Sequence, residues 1–275
     1  MTTLYWFSGT GNSLALAREI ARTLGDARLV PIASLGPDPV TVDGDFGLVC
    51  PVYFYGLPLV VREFLARVDG RGASYAFCVL DAGGFPGWAA AQVRRLGRRT
   101  GKRFDAVYNV VMPGNYIAMY DVRGGDARER VLGAAQDDVA RVAADVCHRA
   151  ERLPRTGSAF AALLYATFGR WFRRTCRGLD AKFVATDACT SCGACARVCP
   201  VRNIELGDGR PRWHHRCEQC FACIHWCPVA AIQIRGRPTA KRGRYHHPDV
   251  SLEDIASQQE PATLGPLGIS LRDGG

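Results

Sequence analysis

The sequence predicts an α/β fold in which a doubly wound sheet of five parallel strands is followed by a second, smaller α+β domain. Three observations lead there. Apolar strand-like runs alternate with helical patterns over the first half, eight of the twelve cysteines crowd between Cys189 and Cys227, and 275 residues suffice for more than one domain of about 100 to 150 residues. With 48% apolar and 22% charged residues the composition is that of a globular chain, which excludes wholesale disorder. No apolar stretch reaches the roughly 18 residues of a spanning helix, and the opening segment MTTLYWFSGTGNS carries no basic-then-apolar signal. The expectation is a soluble, cytoplasmic chain without a transmembrane segment.

The strand-like runs are Leu4 to Phe7, Arg28 to Ile32, Phe46 to Val52, Tyr75 to Leu80 and Phe104 to Met112. They are continuous rather than alternating, the pattern of strands buried on both faces. Helical patterns separate them at 13–24, at 58–68 with Pro58 at the first position, and at 87–99; a long one follows near 127–152. Strands that alternate with helices pair in parallel, so residues 1–153 form the first domain. After Pro154 the chain changes character: Ser158 to Phe168 is almost uncharged, and Arg170, Arg173, Arg174 and Arg177 follow. This 154–180 linker reads either as a helix on a membrane surface or as a helix bridging two domains, and the shortness of the apolar run favours the bridge. Residues 181–250 form the second domain. The remainder, 251–275, is rich in Gly, Pro, Ser and Gln from about Ile255 and reads as a mobile tail.

An internal repeat of period 28 runs through the second domain. Cys189, Cys192, Cys195, Cys199, Pro200, Val201 and Ile204 recur as Cys217, Cys220, Cys223, Cys227, Pro228, Val229 and Ile232. Each copy is C-x2-C-x2-C-x3-C-P, the bacterial ferredoxin run, in which three cysteines hold one cluster and the fourth crosses to the other. The assignment follows: Cys189, Cys192, Cys195 and Cys227 hold one [4Fe-4S] cluster, and Cys217, Cys220, Cys223 and Cys199 the second. The small Gly193, Ala194 and Ala222 let backbone amides approach the sulfurs. Structural zinc is the competing reading, since paired CxxC motifs also make zinc sites, but zinc spacings rarely give four cysteines within eleven residues followed by Pro, twice.

The first strand runs directly into Ser8-Gly9-Thr10-Gly11-Asn12-Ser13 and then a helix, which places hydroxyls and free amides at the positive end of a helix dipole. An anion belongs there, although an ordinary capped helix start has the same look. It is no dinucleotide fingerprint, because Leu14 stands where the third glycine would, and it lacks the Lys-Ser/Thr pair of a P-loop. Two further loops follow the third and fourth strands, where the ligand crevice of a doubly wound sheet lies. Pro51 to Pro58 offers Tyr53, Phe54 and Tyr55 for stacking, with Gly56 beside them, and Asp81 to Gly87 offers Ala82, Gly83, Gly84, Phe85 and Gly87, where backbone approaches closely. Each aromatic alone reads as sheet-edge packing. Three such loops together indicate a planar ligand with a phosphate tail.

On these residues the chain resembles a known family. Residues 1–150 resemble flavodoxin, whose phosphate loop reads T/S-x-T-G-x-T/S as 8–13 do here; with 181–235 they resemble the prokaryotic flavodoxin-ferredoxin fusion proteins of the EFR kind. The stretch from Tyr53 to Pro58 resembles Y-x-x-G-L-P, and Met112-Pro113-Gly114-Asn115-Tyr116 and Arg244-Tyr245-His246-His247-Pro248 resemble further recurrent stretches. The resemblance implies a flavodoxin-like sheet, a bacterial ferredoxin-like domain, FMN and two [4Fe-4S] clusters. It implies that Ser8, Thr10, Gly11, Asn12 and Ser13 hold the FMN phosphate, and that Tyr53 to Gly56 and Ala82 to Phe85 flank the isoalloxazine; Gly9, Pro51 and Gly87 complete the candidate set. One departure stands out. Flavodoxins are usually acidic, whereas this chain has 35 basic against 26 acidic residues, a formal charge of +9.

Two clusters at roughly −2 each and a flavin phosphate of about −1.5 to −2 reduce that charge to roughly +3, so nucleic acid is not expected as a partner. Lys occurs only at 102, 182 and 241; the other 32 basic residues are Arg, a bias that GC-rich coding produces by itself. FMN takes one electron or two and a cluster only one, so the leading expectation is an electron carrier between a redox protein donor and a reductive acceptor enzyme. The alternative is a self-contained FMN-dependent reductase of a small molecule, with Tyr53, Tyr55 or Tyr116 as candidate proton donors. A redox sensor would need an output domain that the sequence does not show. No residue set resembles a nucleophilic triad or a hydrolytic metal site. Cys50 and Cys78 read as buried strand cysteines and Cys147 and Cys176 as helix positions; His214, His215 and His225 lie near cluster cysteines, and His246 and His247 could fold back toward a cofactor.

Overall fold

The computed structural model describes residues 1–122, 124–153 and 158–260. Strands β1 (Thr2–Trp6), β2 (Ala27–Pro31), β3 (Gly44–Pro51), β4 (Ala73–Ala82) and β5 (Ala106–Val111) form one sheet in the order β2-β1-β3-β4-β5, every neighbouring pair parallel. That is the flavodoxin-like doubly wound order. Each strand lies within two residues of its expected run, because burial on both faces writes an unbroken apolar pattern. Leu48, Val49 and Cys50 of β3 and Phe77, Cys78, Val79 and Leu80 of β4 are fully buried.

Helices α1 (Asn12–Leu24), α2 (Leu59–Leu65), α3 (Ala89–Gly97) and α4 (Asp126–Cys147) belong to the same unit. α1 stops at Gly25, whose φ of +71° lets its N–H turn back to the carbonyl of Ala21. α4 is shorter than its pattern suggests. Arg149 adopts φ +50°, and the chain returns to the sheet edge, where Val107 N–H donates to the carbonyl of Arg152.

Of the linker, 154–157 lie outside the described residues. From Ser158, which caps it, the chain forms α5 (Ala159–Leu164), a π-helical segment Tyr165–Gly169, α6 (Arg170–Thr175) and a 3-10 stretch Cys176–Lys182. Its inner face touches both units: Phe172 stacks on Phe54 at 4.0 Å, and Cys176 Sγ lies 3.3 Å from the carbonyl of Cys217.

The second unit contains β6 (Phe183–Ala185), α7 (Ala194–Arg197), β7 (Ile204–Gly207), β8 (Arg210–Trp213), α8 (Ala222–His225) and β9 (Ile232–Ile234), with β6 antiparallel to β9 and β7 to β8. The period of 28 survives in the backbone. Ser191 and Gln219 (φ +59° and +54°), Gly193 and Phe221 (+74° and +57°), and Arg202 and Ala230 (+48° and +49°) all take the left-handed conformation in equivalent pairs. Glycine bears this freely at 193; Phe221 bears it at a cost, and its ring contacts Tyr116 and Phe183.

Residues 251–260 differ from the mobile tail that composition suggests. Ser251 and Asp254 form a capping box at the start of α9 (Leu252–Ala256), Ile255 is fully buried, and Gln258 exchanges hydrogen bonds with the backbone of Ser8. Residues 261–275 lie outside the described residues.

Candidate functional site

The site is built where β1, β3 and β4 end. Between β1 and α1 the chain turns through Ser8 to Gly11, with Gly11 at φ +98°. The amides of Asn12, Ser13 and Leu14, the first turn of α1, have no acceptor among the described residues. These N–H groups are the natural partners of an anion. The side chains around them are engaged by the protein. Asn115 Nδ2 donates to Thr10 Oγ1 at 2.9 Å, Tyr245 Oη to Asn12 Oδ1 at 2.6 Å, Gly11 N–H to Ser8 Oγ at 3.0 Å, and Ser13 Oγ to Asp81 Oδ1 at 2.5 Å.

A cavity of about 560 Å³ opens beside this turn, a size suited to a bound cofactor. Asn12, Pro51, Tyr53, Phe54, Tyr55, Asp81, Ala82, Gly83, Gly84 and Phe85 line it from the three expected loops; Pro113 to Tyr116, Met119, Tyr120, Phe168 and Gln219 complete the wall. Gly56 and Gly87 shape the loops without lining the cavity: Gly87, at φ +64°, presses on Tyr55, and Gly56 on Gln92 and Tyr165. Phe54 and Tyr55 hold φ +45° and +65°, which presents their rings at the cavity wall. Tyr53 Oη is buried beside Gly9, away from the cavity surface, and has no hydrogen-bond partner. An aromatic ring system with an anionic tail fits this combination of apolar wall and free helix amides.

Electrostatics discriminates among the candidate proton donors. Desolvation raises the Tyr53 and Tyr116 hydroxyls above their ordinary range, which makes them weaker acids. Asp81 behaves differently. Burial pushes its carboxyl up to about 6, against a smaller opposite pull from the Ser13 hydroxyl. A raised folded-state value means that Asp81 stabilises the fold below the ordinary carboxylate range near 4, and that this contribution is lost as pH rises through about 6. Asp81→Asn is therefore expected to gain up to about 3 kcal/mol over the parent at pH 8 and almost nothing at pH 4, read from urea unfolding at the two pH values. Equal effects at both would remove the assignment.

Four of the cysteines gather as the crossed pattern expects. Cys189, Cys192, Cys195 and Cys227 surround one small cavity, capped by Leu206, Pro211 and Val229. Cys217, Cys220 and Cys223 lie within electrostatic reach of one another, with Cys199 acting on Cys220 and both Cys199 and Cys195 acting on Cys223. Backbone amides point at equivalent sulfurs: Asn203 N–H reaches Cys199 Sγ at 3.3 Å and Ala231 N–H reaches Cys227 Sγ at 3.2 Å. Desolvation pushes the Cys195 thiol up to about 11 and that of Cys220 up to about 12, so metal must displace a firmly held proton. Among the described residues no three His, Cys, Asp or Glu side chains converge on a single-ion site.

The two groups differ in position. The inner one abuts the anion-binding turn: a Cβ on Gly9 would stand 2.7 Å from the carbonyl oxygen of Cys220, and Trp226 Nε1 donates to the carbonyl of Gly9 at 3.0 Å. Phe54, Tyr116 and Phe221 form a file of rings 5.2 Å apart from the cavity wall to the inner run. The outer group reaches solvent at Cys192.

Several contributors escape local sequence reasoning. Trp226, Gln258 and Phe168 carry no motif, and Glu218 is a buried carboxylate that accepts from Val60 N–H across the two units. The stretches Met112 to Tyr116 and Arg244 to Pro248, marked out by resemblance and, at His246 and His247, by the expectation that they fold back toward a cofactor, are those that fold over the turn. His247 N–H donates to the carbonyl of Thr10 at 2.8 Å and His246 stacks on Trp226 at 4.1 Å. His215 instead pairs with Asp180 at 2.7 Å, and His214 with Glu205 at 3.3 Å.

Fold and site together define a class: a flavodoxin-like sheet joined to a small domain with ferredoxin-type cysteine runs. Residues 183–205, which include Cys189 to Cys199, match the family described as 4Fe-4S binding domain. Among solved structures, the chain is similar to the Streptococcus pneumoniae TIGR4 flavodoxin (16% identity, TM-score 0.33, covering 51% of this chain and 98% of that one). It is similar also to a Megasphaera elsdenii flavodoxin (17%, 0.33, 51% and 99%) and to an azoreductase of Bacillus anthracis strain Sterne (12%, 0.36, 52% and 99%). No curated protein matches the sequence. The fold rests on strand order, not on these low scores. No helix among the described residues is long and apolar enough to cross a membrane.

Proposed function

We propose that the chain is a flavo-iron-sulfur electron-transfer protein that relays low-potential electrons between FMN and two [4Fe-4S] clusters and a partner reductive enzyme. The observation that carries this reading is the contact of Gly9 with Cys220, which leaves no room for one methyl group between the anion-binding turn and a candidate cluster ligand. FMN exchanges electrons singly or in pairs and a [4Fe-4S] cluster singly, so the combination converts one kind of traffic into the other. The amides of Asn12, Ser13 and Leu14 would hold the phosphate, with Ser8 to Gly11 shaping the turn. Tyr53, Phe54, Tyr55 and the 82–85 loop would sandwich the ring and exclude water. Cys199, Cys217, Cys220 and Cys223 would hold the inner cluster, and Cys189, Cys192, Cys195 and Cys227 the outer one. The order cavity, inner group, outer group, solvent makes the exposed edge at Cys192 the docking point for a redox partner.

One observation favours a second reading, a reductase acting on a small molecule. The cavity rim carries Phe85, Met119, Tyr120 and Phe168, all exposed, as a mouth for an apolar substrate would. Anaerobically prepared protein is expected to contain about eight irons and one FMN per chain. Zinc in place of iron, or no flavin after reconstitution, sinks both readings. Steady turnover of a small acceptor by the isolated protein with a chemical reductant favours the reductase; electron delivery only to a second protein favours the carrier.

A further inference from the structure

The segment 159–174 has a buried side that joins the two units and an outer side that nothing among the described residues covers. On the outer side stand Phe160 (63% exposed) and Leu163 (60%), with Trp171 (50%), whose ring also meets that of Phe54 at 6.4 Å, and Phe168 (56%) beside them. These are four large apolar side chains within twelve residues of helix. Arg170 and Arg174 are exposed on the same segment and make no ion pair or hydrogen bond among the described residues. Acidic residues are absent from the whole stretch between Glu151 and Asp180. The neighbourhood adds positive charge, because Arg95, Arg99 and Arg173 are all close enough to Arg62 to repel it. An apolar stripe edged by unpaired arginines is what an amphipathic interfacial helix presents to a bilayer carrying negative headgroups.

We propose that residues 159–174 seat the protein on the surface of an anionic phospholipid bilayer, with Phe160, Leu163 and Trp171 in the acyl-headgroup boundary and Arg170 and Arg174 at the phosphates. Phe168 belongs both to this face and to the cavity wall, so the seated protein turns the cavity mouth toward the lipid. The inner face stays anchored through Phe172 on Phe54 and Cys176 on Cys217, and no unfolding is needed for docking.

The test is co-sedimentation of the cofactor-loaded protein with vesicles of equal parts phosphatidylglycerol and phosphatidylcholine, compared with phosphatidylcholine alone. The protein is expected to partition onto the anionic vesicles about tenfold more strongly, and to lose that preference as salt rises. The double variant Phe160→Ser, Leu163→Ser should reduce partition about tenfold with its visible spectrum and iron content unchanged, and Arg170→Gln, Arg174→Gln should abolish the preference for anionic lipid. Three results would overturn the proposal: no partition onto anionic vesicles, partition that neither variant alters, or a dimer in solution that the Phe160→Ser, Leu163→Ser variant converts to monomer, which would assign the face to a second copy of the chain.

Discussion

Gly9→Val is expected to destabilise the protein by about 2 to 4 kcal/mol and to weaken FMN binding at least tenfold. A Cβ at this position would stand 2.7 Å from Cys220 O, 2.9 Å from Cys220 Cβ and 3.2 Å from Tyr53 Oη. None of these is the free end of a flexible chain. Cys220 is fixed by its run and Tyr53 is wedged in the cavity wall, so the two units must part to admit the side chain, and the bond from Trp226 to Gly9 is lost with them. Urea unfolding and flavin titration measure the two effects. A variant with parental stability and affinity would show that this contact does not hold the halves together.

Cys199→Ser should cut iron from about eight to about four atoms per chain, and the cluster lost should be the one bound by Cys217, Cys220 and Cys223. Although Cys199 belongs to the first run in sequence, it alone of that run acts on Cys220, and it shares its effect on Cys223 with Cys195, whereas Cys227 of the second run lines the cavity of Cys189, Cys192 and Cys195. Electron paramagnetic resonance of the reduced variant, set beside that of Cys192→Ser, distinguishes the two sites. Loss of the cluster bound by Cys189, Cys192 and Cys195 would reverse the assignment.

What the sequence reveals here is what is written locally. The five strands are legible because both faces of each are buried, and the cysteine runs because cluster geometry demands fixed spacing. The turn at 8–13 and the loops at 51–58 and 81–87 announce a crevice, since loops at the carboxyl ends of a doubly wound sheet converge. The covering of that crevice is not legible. Trp226, Tyr245, His247 and Gln258 reach the turn from more than 200 residues away, and no periodicity records a contact of that range. The ordered segment 251–260 was masked by its composition, although Ser251 and Asp254 at capping-box spacing gave a local sign of a helix start. The linker shows a different limit: its apolar pattern marks a helix but does not say which side faces inward.

The cover over the anion-binding turn also sets an order of events during synthesis. Ser8 to Ser13 leave the ribosome more than 230 residues before Tyr245, His247 and Gln258, the residues that close over Ser8, Thr10 and Asn12. At about 5 to 20 residues per second, that separation leaves the turn open for roughly 10 to 50 s on every nascent chain. A phosphate-bearing ligand meets an uncovered turn during that interval and, afterwards, a turn approached only from the side of the cavity that Asn12 lines.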